Sequence, residues 1–440
     1  MQSSSIQFFE NLMSPNKEIR EAAEKDLEKI KTLPVSESLK IFDEGMCSQN
    51  ENIFQLSTLM LKKVYLDNKE KKDSLSNEEK NKLLQLLKSK IDFNKNWKNL
   101  QRIADALSIV YEITSLPNGL SEIMNWFNDQ NNAKSRKFAI YIIEVLCDLR
   151  AITDKVLDSN AIENFKIIFT KGLDDNDIDV KVSSLNSATQ FLSGINEDII
   201  SNFSILSDKM LQTLIDALKY ENEQNNDSND KGKTAIETMN TIIDRHPKFW
   251  KEKTELIIDI VCQISKGTLF KNEIRESALE LVFSLAKKNP STIKKSSNFT
   301  NIFLPLLFEL LYEVDNKDNL EKWEKQKEED ETDLEEMYYA VRDSFERLSL
   351  DLGDKFFMSA ISNLLKNHLT SQNWIEVHAG YTALAYMSEG CKESFKNNIQ
   401  EILNYISQGL THNHPRVRYV FLSAFGLIFL ETSPLIKKVK

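Results

Sequence analysis

Glycine and proline are scarce in this chain, at 11 and 8 of 440 residues. Turn-rich β architectures need both at many positions, so their shortage disfavours sandwiches and barrels. Cysteine is scarcer still, and Cys47, Cys147, Cys262 and Cys391 lie too far apart for a zinc or redox spacing. Each stands in an apolar, helix-like context, so all four are expected as reduced core residues. The longest nearly apolar run, Tyr419 to Leu430, is too short to span a bilayer. The opening Met1-Gln2-Ser3-Ser4-Ser5-Ile6 has no apolar signal core. A cytosolic or nuclear protein without membrane insertion is therefore expected, in which the sequon Asn298-Phe299-Thr300 has no meaning. Positive charge is not in excess either. A net charge of −11 argues against direct nucleic-acid binding and favours basic partners.

Enzyme signatures are also missing. Lys231-Gly232-Lys233-Thr234 ends like a phosphate-binding loop, but Asp227 stands where its first glycine belongs and no strand precedes it. His412 and His414 lie two apart at a turn with no third ligand near in sequence. His246, His368 and His378 are dispersed, with no Ser or Cys in a nucleophile context. The chain is read as non-catalytic, with no cofactor and no metal.

What is present is a recurring phrase: an apolar residue, a basic residue, then a small or apolar residue three positions on. It occurs as Ile19-Arg20…Ala23, Ile274-Arg275…Ala278 and Val417-Arg418…Phe421. Weaker echoes are Ser135-Arg136…Ala139, Val180-Lys181…Ser184 and Val377-His378…Tyr381. Each sits near the start of a helix-like apolar stretch. The most closely spaced copies, Arg136 to Lys181 and His378 to Arg418, are 45 and 40 residues apart, the period of two-helix HEAT or armadillo repeats. The expected fold is all-α, a superhelical α-solenoid of about ten HEAT repeats forming one array over residues 1–440.

Helical periodicity predicts ten pairs, at about 3–13 and 16–31, 36–47 and 50–67, 77–91 and 96–114, 118–129 and 133–150, and 159–172 and 178–193. The later pairs fall at about 206–220 and 231–246, 249–266 and 271–288, 354–370 and 374–390, and 395–411 and 415–431, with an eighth that begins near Asn298 and resumes near Leu334. Arg275 is expected to tie one repeat to the next through carbonyl or carboxylate contacts. The tenth unit still reads as an interior repeat, because Val420, Phe421, Phe425, Ile428 and Phe429 make its second helix apolar almost all round. A terminal cap shows a polar outer face, so the natural chain is expected to continue beyond Lys440, making this the N-terminal portion of a longer array.

The rhythm breaks once, at residues 313–336. Glu328, Glu329, Asp330, Glu331, Asp333, Glu335 and Glu336 form an acidic stretch with Trp323 upstream. Such density favours an extended, solvated segment. Its place between the helices of repeat eight makes it a tethered acidic loop.

The stretch from Asn373 to Pro434 is more specific. It contains Asn373-Trp374, Ala379…Ala383-Leu384, Ser388-Glu389-Gly390-Cys391 and then His414-Pro415-Arg416-Val417-Arg418-Tyr419. This resembles importin-beta (karyopherin-beta) family nuclear transport receptors, closest to the importin-five or karyopherin beta-three branch. Ser344-Phe345-Glu346-Arg347-Leu348, Leu352-Gly353-Asp354-Lys355, His246-Pro247-Lys248-Phe249 and Leu61-Lys62-Lys63 fit in order. The resemblance implies a monomeric nuclear import receptor that shuttles between cytoplasm and nucleus. Its implied partners are Ran-GTP, basic cargo proteins and nuclear-pore FG-repeat proteins. It implies Ran binding by the N-terminal repeats, residues 1–150, with Lys62 and Lys63 in the contact, and by the acidic loop, which also meets cargo. A HEAT-repeat regulatory scaffold, such as a phosphatase scaffold subunit, shares the rhythm but is not expected to carry the acidic insertion with these motifs.

Overall fold

The computed structural model describes residues 2–67, 69–114, 116–152, 157–224, 230–267, 269–315 and 336–436. Among them every regular element is a helix. The chain divides into two compact units, Met1–Thr213 and Leu214–Lys440.

Unit 1 holds five antiparallel pairs: α1 (Gln2–Leu12) with α2 (Lys17–Ile30), α3 (Val35–Met46) with α4 (Glu51–Tyr65), α5 (Asn77–Ser89) with α6 (Trp97–Ile113), α7 (Leu116–Phe127) with α8 (Ala133–Asp148), and α9 (Ser159–Leu173) with α10 (Ile178–Gly194). In each pair the first helix is here called A and the second B. The B helices form a continuous layer, α4 on α6, α6 on α8 and α8 on α10. Helix α11 comprises Leu206–Gln224.

Unit 2 continues with α12 (Lys231–Arg245), α13 (Thr254–Ser265), α14 (Asn272–Lys288), α15 (Leu304–Leu311), α16 (Glu336–Leu352), α17 (Asp354–Leu369), α18 (Trp374–Tyr386), α19 (Ile399–Leu410) and α20 (Pro415–Ile436). Its B layer is α12, α14, α16, α18 and α20, each packed on the next. This is the expected HEAT-repeat arrangement, with α11 and α12 making the sixth of about ten pairs.

Side-chain caps replace the missing glycines at many of the turns. Asn16, Asn50, Asn96, Asn132, Asp177 and Asn373 each precede a B helix and accept hydrogen bonds from its first amides. The recurring arginine then has a fixed place. Arg20, Arg136, Arg275 and Arg418 are each the fourth residue of their B helix. Arg20 donates to the Ser14 carbonyl at 3.1 Å. Arg136 donates to the Asp129 and Gln130 carbonyls at 2.9 and 3.1 Å, and its Nε and Nη2 grip Asp175 of the next pair at 2.7 and 2.9 Å. Arg275, 1% exposed, donates from Nε to the Ser265 carbonyl at 3.0 Å and from Nη1 to Asn272 Oδ1 at 2.9 Å. It also grips Glu313 of the next pair through both Nη atoms. The inter-repeat tie expected of Arg275 is therefore present.

Some boundaries differ from the expectation. The element expected to begin at 249 opens as a 3-10 helix, Pro247–Lys253, and becomes α-helical only at Thr254. Trp250, fully buried in that turn, anchors it. Ahead of α15, Phe299–Phe303 form a wide π turn. Pro305 lacks an N–H and its ring would crowd the carbonyl four residues back, so the wider turn relieves the clash. Short helices Lys69–Ser74, Glu197–Ile200, Pro290–Ile293 and Lys392–Asn397 fill connections read as loops or as parts of longer helices. Cys47 departs from the expected core position: it is exposed at the C-terminal cap of α3, while Cys262 and Cys391 are buried and Cys147 is half-buried.

Candidate functional site

In α4 and α16 the exposed positions include charged side chains, among them Lys63, Asp343 and Arg347. In α4 the buried residues Ile53, Phe54, Ser57, Thr58, Leu61, Val64 and Tyr65 share one face. Lys63 falls on the opposite face with Asn52 and Leu59, and all three are exposed. Lys62, half-buried, falls toward the side of Gln55, whose amide donates to Asn99 of α6 at 2.8 Å. Neither lysine forms an ion pair with a described residue. Both stand in the last turn of α4, where a cation also complements the helix dipole.

Across α6, α8 and α10 the open face is a network. Tyr141 donates to Asp105 at 3.0 Å, Arg102 lies 3.8 Å from the same carboxylate, and Lys137 sits 4.3 Å above the Trp97 ring. Lys137 also lies 3.9 Å from Asp179 of α10. One turn on, Glu144 has no ion pair among the described residues. Burial, then Asp148, push its carboxyl up to about 7.

Unit 2 presents a more acidic face with tyrosines. Arg347 of α16 pairs with both carboxylate oxygens of Glu280 on α14 at 2.6 and 2.8 Å and lies 4.9 Å from the Phe283 ring. Arg342 is sandwiched between Tyr339 at 4.7 Å and Tyr386 of α18 at 4.6 Å, and donates to Asp343 at 2.9 Å. Asp351 and Asp343 also lie near the Arg347 guanidinium. Burial raises the Asp351 carboxyl despite Lys287 and Arg347 nearby. Glu389 is exposed just beyond α18. Sequence reading missed Tyr339, Arg342 and Tyr386. The three-residue spacing of Tyr339 and Arg342 could have signalled one face, but Tyr386 reaches them only through the packing of α18 on α16.

Glu328, Glu329, Asp330, Glu331, Asp333 and Glu335, with Trp323, lie outside the described residues. Glu336 is the first residue of α16, and its side chain also lies outside them. Among the described residues no group of three or more His, Cys, Asp or Glu side chains could hold a metal ion. No described helix is long and apolar enough to cross a membrane.

Fold and faces define a HEAT-repeat protein whose B helices offer charged, aromatic-lined surface. Residues 268–359 match the importin repeat family. The chain is 25% identical over 274 residues to importin subunit beta-3 of Saccharomyces cerevisiae, covering 62% of this chain and 24% of that protein. It is 24% identical over 308 residues to a probable importin-5 homolog of Dictyostelium discoideum, covering 70% and 26%. The chain thus matches about a quarter of the length of these curated relatives. Kap121p bound to Nup53p shares the fold, with a TM-score of 0.85 at 21% identity over 100% of this chain and 41% of that one. Kap121p is also solved bound to Ste12p and to Pho4p. In part of its sequence and in its fold the chain is similar to importin-beta family proteins.

Proposed function

We propose that this chain acts in a nuclear import receptor. It takes basic cargo on the open face of α14, α16 and α18, and binds Ran-GTP through residues 1–150, Lys62 and Lys63 included, and through the acidic stretch 313–336. It contacts FG-repeat proteins at the pore and shuttles between cytoplasm and nucleus. The observation that carries the reading is the acid–tyrosine face of unit 2, whose α14 and α16 lie within the importin-repeat match. Carboxylates beside tyrosine rings suit a lysine or arginine side chain, which gains charge-assisted hydrogen bonds and a cation–π contact together. The net charge of −11 steers such a partner inward.

The test is fluorescence anisotropy with a labelled lysine-rich peptide, comparing wild type with Glu389→Lys and Tyr386→Ala. Each should weaken binding by about tenfold, and Glu389→Lys less so at high salt, where the screening length falls to about 3 Å. Unchanged affinity in both would remove the cargo assignment. The GTPase assignment is tested separately, by pull-down with Ran loaded with GTP or GDP. GTP-dependent capture, weakened by Lys62→Glu with Lys63→Glu and by neutralising the seven acidic residues of the 328–336 stretch, is expected. Capture without nucleotide dependence is the behaviour of a scaffold.

A further inference from the structure

In a repeat stack each helix pair rests on its immediate neighbours. Unit 2 departs from this at the end of α15. Three consecutive residues of the 3-10 turn Tyr312–Asp315 are held by three different pairs. Tyr312 Oη lies 2.6 Å from Nε2 of His368 on α17. The other ring nitrogen, Nδ1, lies 2.7 Å from the Leu364 carbonyl, so the ring donates from Nδ1 and accepts the tyrosine hydroxyl at Nε2. Glu313 takes the guanidinium of Arg275 on α14. The Val314 carbonyl accepts a hydrogen bond at 3.0 Å from Nη1 of Arg416, at the start of α20.

The last contact skips a repeat. Val314 closes the first helix of pair eight, Arg416 opens the second helix of pair ten, and 102 residues separate them. Both are buried, at 9% and 7% exposure. Pair nine is clasped in between. Trp374, which opens α18, stacks on His414 at 3.6 Å and 6°, and the buried His378 lies edge-on to Trp374. Arg418, two residues on, behaves differently: its Nη1 closes its own turn on the His412 and Asn413 carbonyls at 2.8 and 2.9 Å. Burying a guanidinium costs free energy that only well-formed contacts offset. Arg416 makes one such contact across a pair, from Nη1 to the Val314 carbonyl.

We infer that Arg416 is a staple that makes pairs eight, nine and ten open as one block, and that this block holds Tyr312–Val314 in fixed relation to the B helices of the acid–tyrosine face. The second half rests on the cargo reading above. Occupation of that face is then felt at the residues from which the chain enters the acidic stretch.

The test is hydrogen exchange by mass spectrometry on the full chain. In Arg416→Met, amides of α15, Tyr312–Asp315, α16 and α18 should exchange faster together, by about tenfold or more. Arg418→Met should affect only α20 and its turn. Arg416→Lys, which keeps the charge and a donor, should show the pattern of Arg416→Met at smaller amplitude, and carries the test if Arg416→Met does not fold. Faster exchange confined to α20 in the Arg416 variants would overturn the staple. A lysine-rich peptide should slow exchange at Tyr312–Asp315 in the wild type but not in Arg416→Met. Peptide protection of α18 without protection of Tyr312–Asp315 would overturn the coupling. If no peptide binds while Arg416→Met still loosens the three pairs together, the staple stands and the cargo reading alone fails.

Discussion

Replacing Arg136 by Met should open unit 1 around α8, α9 and α10 without unfolding the rest. The side chain of Arg136 is 11% exposed and that of Asp175 is 9% exposed. The substitution removes two hydrogen bonds to the carboxylate and two to turn carbonyls, while Met keeps most of the apolar stem. Breaking a buried pair from one side costs about 3–5 kcal/mol, because the remaining charge is left uncompensated. The Asp177 amide still donates to Asp175 at 2.9 Å, which places the expectation near the lower end, about 3 kcal/mol. In a repeat array that loss appears locally, as an increase of about a hundredfold in the opening of α8–α10 amides. The assay is native-state hydrogen exchange in a double-mutant cycle with Asp175→Asn, where a coupling of about 1.5–3 kcal/mol is expected. Burial raises the Asp175 carboxyl, but hydrogen bonds from Arg136 and from the Asp177 and Asn176 amides outweigh it, leaving the carboxyl below its ordinary 3.8. Its contribution is therefore complete above that value and lost as pH falls through the lowered one. Single effects that add to within about 0.5 kcal/mol would refute the inter-repeat tie.

Three further outcomes follow from particular contacts. Gly390→Ala should destabilise pair nine by about 1–3 kcal/mol, seen as faster exchange in α16 and α18, because a Cβ there would lie 2.6 Å from the Ser349 backbone carbon. Glu255→Ala should loosen the start of the Phe299–Leu311 segment by about 0.5–2 kcal/mol, measured by local exchange, since Glu255 accepts from Ser296 Oγ, Ser297 N and Asn298 N at 2.8, 2.9 and 3.0 Å. The two units should answer acid in opposite directions. Burial, then Arg416 and His414, push His378 of α18 down to about 3, so below its ordinary 6.5 the unfolded chain binds the extra proton and acidification withdraws stability from unit 2. Glu144 of α8 is pushed up to about 7 from 4.5, so in that window the folded state binds the proton and acidification adds stability to unit 1. Each slope is at most about 1.4 kcal/mol per pH unit. Exchange in α8 and α18, corrected for intrinsic chemistry, should diverge between about pH 7.5 and about pH 5.5, and parallel responses would contradict the two assignments.

The repeat rhythm was legible because it is local. An Asx cap, an arginine four residues into the helix and an apolar stripe all fall within one turn or two, and α2 and α8 fold as their own sequences dictate. What was not legible depends on which helix lies beside which. An inter-repeat tie could be read for Arg275 but not its partner: the carboxylates that Arg136 and Arg275 grip, Asp175 and Glu313, lie 39 and 38 residues away. Cys47 reads as apolar because its neighbours do, yet the helix ends there and leaves it at the surface. Arg342 reads as a solvated charge until Tyr386 closes over it from α18. The same limit separates Arg416 from Arg418. In sequence they are two arginines flanking one valine; in the helix they are about 200° apart. One points back to its own turn and the other to pair eight. Periodicity predicts that they differ in direction but not what waits in either direction, and at Arg416 that difference is a link across a whole repeat.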